Sequence, residues 1–142
     1  MAKENQSIKM EFSARDSLVA AARLATAAFC AELGFSFTDI EEIKVAVSEG
    51  VSNAILHGYG GKESGIVELT MSVVDGILEL TVKDDGTGIE DVAKAMEPAY
   101  SSVDGRMGLG FVFMSSFMDS LDVVSAPGEG TLVRMKKRCP GL

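Results

Sequence analysis

Two alternating runs joined by Asp75-Gly76 constrain the fold of this chain more than any other feature. In IVELTMSVV (residues 66–74) and ILELTVK (77–83), apolar side chains recur at every second position. This is the period of a β-strand that buries one face. Asp-Gly is a preferred pair for a two-residue hairpin turn, because both positions need a positive φ. The segment therefore predicts a β-hairpin.

The N-terminal part of the chain predicts a strand followed by a long helix. IKMEFS (8–13) alternates apolar and polar residues in the manner of a strand. The alanine-rich run after it predicts a helix over 16–33, with Ser13 or Asp16 as the N-cap and Gly34 ending it.

A second helix is expected to begin near residue 39. Thr38 and Glu41 have the spacing of a capping box, in which each residue satisfies a backbone N–H of the other. The helical pattern continues to about Leu56, and glycines at 58, 60 and 61 end it.

The second half of the chain predicts a short helix, a loop, a helix and a closing hairpin. These segments are EDVAKAM (90–96), EPAYSSVDGRMGLG (97–110), FVFMSSFMDSL (111–121), and the strands DVVSAP (122–127) and TLVRMKK (131–137) around a GEG turn. Strands and helices thus occur in pairs, which favours an α+β fold with one mostly antiparallel sheet and helices on one face.

Composition excludes several classes of function. The net charge is −8, and the only basic cluster, RMKKR (134–138), is expected to lie on a solvated edge, so nucleic-acid binding is not predicted. An anionic ligand would instead need a cation or backbone dipoles. No apolar run is long enough to cross a membrane, and no secretory signal is present. Cys30 and Cys139 lack a CxxC pattern and are expected to be free thiols in the cytoplasm.

The second helix carries an acid and an amide one turn apart, Glu49 and Asn53. At about 100° per residue, its apolar residues form one arc that packs on the sheet: Ile40, Ile43, Val47, Val51, Ala54 and Ile55. Glu49 and Asn53 fall on the other side, away from the core, with Glu42 and Ala46. From the spacing alone, a solvated polar pair is the commoner explanation. Gly50 argues for a site, because glycine costs about 1 kcal/mol inside a helix unless a neighbour must approach the backbone.

Two glycine-containing segments follow, and each is weak evidence alone. DDGTGI (84–89) places two aspartates at a strand end, where they predict either a turn or a pocket for a planar ligand. GRMGLGF (105–111) precedes a helix, so its backbone N–H groups and Arg106 could meet an anion at the helix N-terminus. The glycine spacing fits neither a Rossmann fingerprint nor a Walker A loop.

Taken together, these motifs resemble one nucleotide-binding family. Glu-x-x-x-Asn on a helix, Asp-x-Gly-x-Gly after a strand, Gly-x-Gly before a helix and Gly130-Thr131 at the last strand follow the order of the GHKL (Bergerat) ATP-binding fold. SEGVSNAILHG resembles its N box, DDGTGI its G1 box and GRMGLGF its G2 box. The resemblance implies a single domain over residues 1–142, built as an α+β sandwich with a mixed, mostly antiparallel sheet.

The resemblance also implies roles for the motif residues. Glu49 would be the general base for a substrate serine, and Asn53 would hold Mg²⁺ against the triphosphate. The adenine ring would be bound by Asp84, which accepts the amino group, and by Gly86, Gly88 and Thr131.

The phosphates of ATP or ADP would meet the G2 box. Arg106 would contact the terminal phosphate, and the amides of Gly108, Leu109 and Gly110 would line the others. Residues 97–107 would form a lid, which is several residues shorter than in the members of the family that the chain most resembles.

Within the family, the phrases MEFSAR, EEIKVAVSEGVSNAILHGY, GILELTVKDDGTGI and GLGFVFMSSFMD resemble the stand-alone serine kinases that act as anti-sigma factors, the sporulation branch above all. This implies a homodimer that inhibits a sigma factor and phosphorylates a serine of an anti-anti-sigma (STAS) protein. The first strand and the exposed sheet face are the candidate dimer interface. The alternative is a general-stress type of ATP-gated binding module with little or no kinase turnover, against which the retained Glu49 argues.

Overall fold

The computed structural model describes residues 5–60, 64–97 and 106–141. The strands are β1 (Gln6–Ser13), β2 (Ile66–Val74), β3 (Ile77–Asp84), β4 (Ser120–Ser125) and β5 (Thr131–Arg138). The helices are α1 (Val19–Cys30), α2 (Phe37–Asn53), α3 (Val92–Ala95) and α4 (Arg106–Phe117). A 3₁₀ turn (Asp16–Leu18) precedes α1, and a π-helical turn (Ala54–Gly58) extends α2.

The strands form one sheet in the order β1-β2-β3-β5-β4. The α+β prediction is confirmed, and the four strand pairs are all antiparallel, so the described sheet is not mixed. The predicted hairpin joins β2 to β3, with Val74 paired to Ile77. Asp75 and Gly76 have φ angles of 54° and 75°, the signs that this tight turn requires.

The hydrophobic core lies between one face of the sheet and the helices. Alternate residues of β2 and β3 are buried, as their sequence pattern predicted. Helix α2 packs its apolar stripe against them, and α1 and α4 both pack against α2. Fully buried side chains include Ile43, Val47, Val51, Leu69, Met71, Leu78, Leu80 and Met135. In the described part of the chain, no helix combines the length and the apolar content needed to cross a membrane.

The start of α2 differs from the prediction by two residues. Its capping box uses Ser36 and Asp39 rather than Thr38 and Glu41. The Ser36 hydroxyl accepts the Asp39 N–H at 3.0 Å, and the Asp39 carboxylate accepts the Ser36 N–H at 3.3 Å. Both pairs have the spacing of a capping box, and the earlier pair adds half a turn of helix.

The first helix also departs from its predicted bounds. Ser13 remains in β1, where it pairs with Ile66, and Asp16 opens the 3₁₀ turn. Neither residue caps the helix, since the N-cap positions of the turn and of α1 make no side-chain capping bond. Helix α1 ends at Cys30, and Gly34 has a φ of 87° in the connection that follows.

The opposite face of the sheet carries charged side chains, with exposed apolar residues such as Ile66 and Val74 at the strand ends. The RMKKR cluster was expected to lie on a solvated edge. It lies instead on β5, an interior strand between β3 and β4. Arg134 lies 3.4 Å from the Glu79 carboxylate and 3.8 Å from that of Asp122, and Lys136 lies 3.8 Å from Glu79. Acids of the neighbouring strands therefore balance these cations.

Candidate functional site

The last turn of α2 brings Glu49 and Asn53 against the first turns of α4. A methyl group built on Gly110 would lie 3.0 Å from Glu49 Oε2 and 3.3 Å from Asn53 Nδ2. Leu109, 49 % exposed, lines the open side of the same cleft. The Asn53 Nδ2 atom is buried and has no hydrogen-bond partner in the described residues. Buried polar atoms are rarely left in this state, so the amide is available to a ligand.

The helical periodicity predicted that this side of α2 faces away from the core, and for Ala46 the prediction is wrong. Ala46 is fully buried, because both α1 and α4 pack on α2. The expectation of a close neighbour at Gly50 is confirmed: a methyl group there would lie 3.2 Å from Val82 Cγ2 and 3.8 Å from Met114 Sδ. Small residues thus let α2 approach both the sheet and α4.

Asp84 is the last residue of β3 and is only 5 % exposed. Its Oδ1 atom accepts the Gly86 N–H at 2.9 Å. Burial raises the pKa of Asp84, and the charge of Asp85 raises it further, whereas the backbone N–H groups of Gly86 and Thr131 act in the opposite direction. A buried carboxyl with spare acceptor capacity at a strand end suits a ligand that brings N–H donors.

The segment after Asp84 is held tightly against the end of the π-helical turn. A methyl group on Gly86 would overlap the carbonyl oxygen of Gly58. The Thr87 N–H donates to that same carbonyl at 2.8 Å, and the Thr87 carbonyl accepts the Gly128 N–H at 2.7 Å. The glycines are therefore needed for close packing, and the segment forms a fixed wall.

Thr131 opens β5 directly opposite Asp84, its partner across the sheet. Its Oγ1 atom lies 2.8 Å from Ser125 Oγ. Ser125 also accepts the Ile89 N–H at 2.7 Å and donates to the Gly130 carbonyl at 2.9 Å. Ser125 was not predicted as a site residue, because a serine at the end of a strand has no sequence signature of its own.

The described part of the G2 segment is helical, which corrects residues 106–110 of the loop predicted over 97–110. Helix α4 begins at Arg106 rather than at residue 111, so Gly108 and Gly110 lie in its first two turns. Contact of this part of α4 with α2 offsets the roughly 1 kcal/mol by which each glycine disfavours a helix. The Arg106 side chain and residues 98–105 of the expected lid lie outside the described residues.

One cavity connects the two ends of the site. Asn53 and His57 line it from the helix side, and Asp84 and Thr131 line it from the sheet. Its remaining walls are apolar side chains and glycine backbone: Val82, Ile89, Met107, Phe111, Val133, Gly50, Gly58 and Gly88. In the described part of the chain, four of the ten predicted site residues therefore line this cavity, while Glu49 and Leu109 line the cleft beside it. The cavity is small, about 20 Å³, so a planar base with a charged tail would enter only if its walls moved apart.

Comparison with known proteins places the chain in a family. Residues 12–137 match the family described as "Histidine kinase-like ATPase domain". The chain is 44% identical over 133 residues to the anti-sigma F factor of Clostridium botulinum (strain Alaska E43 / Type E3), covering 92% of this chain and 93% of that protein. The chain belongs to the anti-sigma F factor family of histidine kinase-like ATPase domains.

A further relative agrees with this membership, and two solved structures share the fold. The anti-sigma F factor of Halalkalibacterium halodurans is 42% identical over 132 residues, covering 92% of this chain and 90% of that protein. The RsbU and RsbW domains of Rv1364c from Mycobacterium tuberculosis match the fold with a TM-score of 0.67 at 22% identity, over 94% of this chain and 32% of that one. Full-length ShkA in complex with AMPPNP matches with a TM-score of 0.61 at 19% identity, over 89% and 31%.

Magnesium is the metal that the histidine kinase-like ATPase resemblance implies, and the donor set fits it. The described residues contain no cluster of three or more His, Cys, Asp or Glu side chains able to hold a metal ion. A Mg²⁺ ion bound through a nucleotide needs only one or two protein ligands, because phosphate and water oxygens supply the rest. Asn53 offers one amide oxygen here, on a side chain whose nitrogen has no partner in the described residues.

Proposed function

We propose that the protein is an ATP-dependent anti-sigma factor of the sporulation type, which holds a sigma factor inactive and phosphorylates a serine of an anti-anti-sigma (STAS) partner. One observation carries the proposal. Asn53 lines one cavity together with Asp84 and Thr131, and Glu49 lies beside Asn53 in the adjoining cleft, in a chain similar to anti-sigma F factors. An acid beside the phosphate end is needed for transfer, whereas nucleotide binding alone does not require it.

The base of ATP or ADP would lie at the sheet end of the cavity. The Asp84 carboxylate would accept the adenine amino group, and Thr131 would contact the ring from the adjacent strand. Gly86 and Gly88 would present backbone to the ring, in a wall that packs closely on the carbonyl groups of Gly58 and Ala126.

The triphosphate would run toward Asn53 and the start of α4. Asn53 would hold Mg²⁺, whose charge neutralises the phosphates. The first N–H groups of an α-helix have no partner inside the helix, so the amides around Gly108 are suited to phosphate oxygens. Arg106 would contact the terminal phosphate. Leu109 and Gly110 would border the phosphates, Gly110 by leaving room beside Glu49 and Asn53.

Glu49 would act as the general base. Its carboxylate would take the proton of the substrate serine hydroxyl as the serine oxygen forms a bond to the γ-phosphorus. The bond from that phosphorus to the β–γ bridging oxygen breaks, and ADP leaves with the bond electrons. A position one helical turn from Asn53 keeps the base at the phosphate end of the site.

The proposal includes a cytoplasmic homodimer. Strand β1 is at the edge of the sheet, and Ile66 and Val74 on the strand beside it are 49% and 54% exposed. Light scattering after size exclusion tests this: a mass near 30 kDa is expected, twice the chain mass of 15.0 kDa, and a mass of one chain contradicts it.

The function is tested by measuring phosphate transfer to STAS proteins from the same genome. Capture of the sigma factor is measured in the same samples. Three variants are compared with the wild type using labelled ATP: Glu49→Gln, Asn53→Ala and, as a matched control, Glu42→Gln on the same helix. We expect Glu49→Gln to bind ATP while transfer falls by about 10²–10⁴-fold. Asn53→Ala should lose the Mg²⁺-dependent part of ATP binding, and Glu42→Gln should behave as wild type.

The outcomes separate the alternatives. Transfer at the parental rate by Glu49→Gln would show that the base has been assigned wrongly. ATP-dependent sigma capture with no phosphate on any STAS protein would favour the general-stress type of binding module. Absence of a thermal shift with ATP or ADP would contradict both.

A further inference from the structure

We infer that Ser125 is a positioning residue for purine selectivity: it fixes the Thr131 hydroxyl as an acceptor, which favours a 6-amino purine over a 6-oxo purine. The inference rests on the proposed ATP site. It gives a role to a residue that lies outside the three sequence boxes, at the end of β4.

The hydrogen-bond capacity of Ser125 is fully used. A serine hydroxyl has one hydrogen to donate and two lone pairs to accept with. Its Oγ atom meets the Ile89 N–H at 2.7 Å, the Gly130 carbonyl oxygen at 2.9 Å and Thr131 Oγ1 at 2.8 Å. The N–H can only donate and the carbonyl can only accept, so the Ser125 hydrogen goes to Gly130. Thr131 must therefore donate its own hydrogen to Ser125.

The backbone around this network is closely packed. A methyl group on Gly130 would overlap the Asp84 carbonyl oxygen, and one on Gly88 would overlap the Ala126 carbonyl oxygen. The Gly130 carbonyl and the Ile89 N–H are thus held in place from both sides of Ser125. The direction of the Thr131 hydrogen is set by the fold before any ligand arrives.

The consequence is that the Asp84 and Thr131 side chains both present acceptors at this end of the cavity. With its hydrogen directed at Ser125, the Thr131 oxygen offers lone pairs, and the neighbouring Asp84 carboxylate is also an acceptor. The 6-amino group of adenine brings two N–H donors to this end. In hypoxanthine or guanine the 6-oxo group is an acceptor and the ring N1–H is the neighbouring donor. The N1–H can satisfy one of the two buried oxygens, but the 6-oxo group faces the other without a donor, which weakens binding by about tenfold to hundredfold.

The test is the ratio of ITP to ATP dissociation constants with Mg²⁺ present, measured by calorimetry. ITP carries a 6-oxo group where ATP carries a 6-amino group. We expect the wild type to prefer ATP by at least about tenfold. Ser125→Ala releases the Thr131 hydroxyl to turn and donate, so the ratio should fall by about tenfold. Ser125→Thr keeps the hydroxyl and should keep the ratio, as should Ser120→Ala at the exposed start of β4.

A second variant covers the case in which Ser125→Ala does not fold. Thr131→Val removes the hydroxyl but keeps the shape, so it should lose the same preference, and adding Ser125→Ala to it should change the ratio no further. Equal weakening of ATP and ITP in Ser125→Ala would overturn the inference, because a purely structural role predicts that result. A wild type that binds both nucleotides equally would overturn it while leaving the proposed function intact. A wild type that binds neither would overturn the proposed function itself.

Discussion

Gly58→Ala tests the contact on which the base end of the cavity depends. A methyl group at Gly58 would lie 2.8 Å from both Cγ and Oδ1 of Asp84, and 2.9 Å from Oδ2. Non-bonded carbon atoms pack at about 3.5–4.0 Å, so the carboxyl carbon would have to retreat by about 0.7 Å. Gly58 is not among the residues with a positive φ. Alanine is therefore allowed by the backbone, and the whole effect falls on Asp84.

The expected cost follows from how Asp84 is held. The residue is 5 % exposed, and its Oδ1 atom is bound by the Gly86 N–H at 2.9 Å. Losing a hydrogen bond to a charged acceptor costs about 1.5–3 kcal/mol. Replacing glycine by alanine restricts the unfolded chain, which returns about 0.4–1 kcal/mol. We expect a net loss of about 1–2 kcal/mol, or a Tm lower by about 3–8 °C for a chain of this size.

Urea unfolding and ATP binding are measured for Gly58→Ala, for Asp84→Ala and for the double variant. In the double variant, the three atoms that the methyl group would meet are gone, so the alanine at position 58 should cost nothing or add stability. Wild-type stability in Gly58→Ala would refute the reasoning. So would a cost of equal size in the presence and absence of the Asp84 side chain.

Three further predictions concern other buried positions. In Gly50→Ala the new methyl group would lie 3.2 Å from Cγ2 of the buried Val82. We expect the variant to be less stable, because overpacking costs about 1–3 kcal/mol and the gain in helix propensity is only about 1 kcal/mol. A higher free energy of unfolding in urea would contradict this. Burial, and to a lesser degree the neighbouring Cys139, raises the pKa of the Cys30 thiol to about 12. Both buried thiols should therefore react with a disulfide reagent at pH 8 only on unfolding, and labelling faster than unfolding would argue against it. Because burial raises the pKa of Asp84 in the folded state, its ionised form costs stability above that pKa. Asp84→Asn should thus have a higher free energy of unfolding than the wild type near pH 7. The difference should shrink as the pH falls toward 3.8, the ordinary pKa of an aspartate. A difference in the free energy of unfolding that does not change with pH would refute this reasoning.

The parts of the fold that were predictable depend on local pattern. The hairpin at Asp75-Gly76 is specified by its own turn residues and by the alternation on either side. The same alternation, which buries Leu80 and Val82, continues to position 84. The burial of Asp84 therefore follows from counting along one strand.

The parts that were not predictable depend on contacts between elements distant in sequence. Ala46 is buried because two helices, from either side in sequence, pack on α2. Helix α4 extends back through Gly108 and Gly110 because that turn lies against Glu49 and Asn53, a contact that no local propensity encodes.

Helix α4 spans both halves of the cavity. Met107 and Phe111 form part of its apolar wall, while Gly110, between them in sequence, lies against the Glu49 and Asn53 side chains. A helix moves as one body, so a base that pushes the wall outward also changes the spacing at the acid and the amide. If the purine binds as proposed, its entry and the exposure of Glu49 and Asn53 would be a single movement of α4.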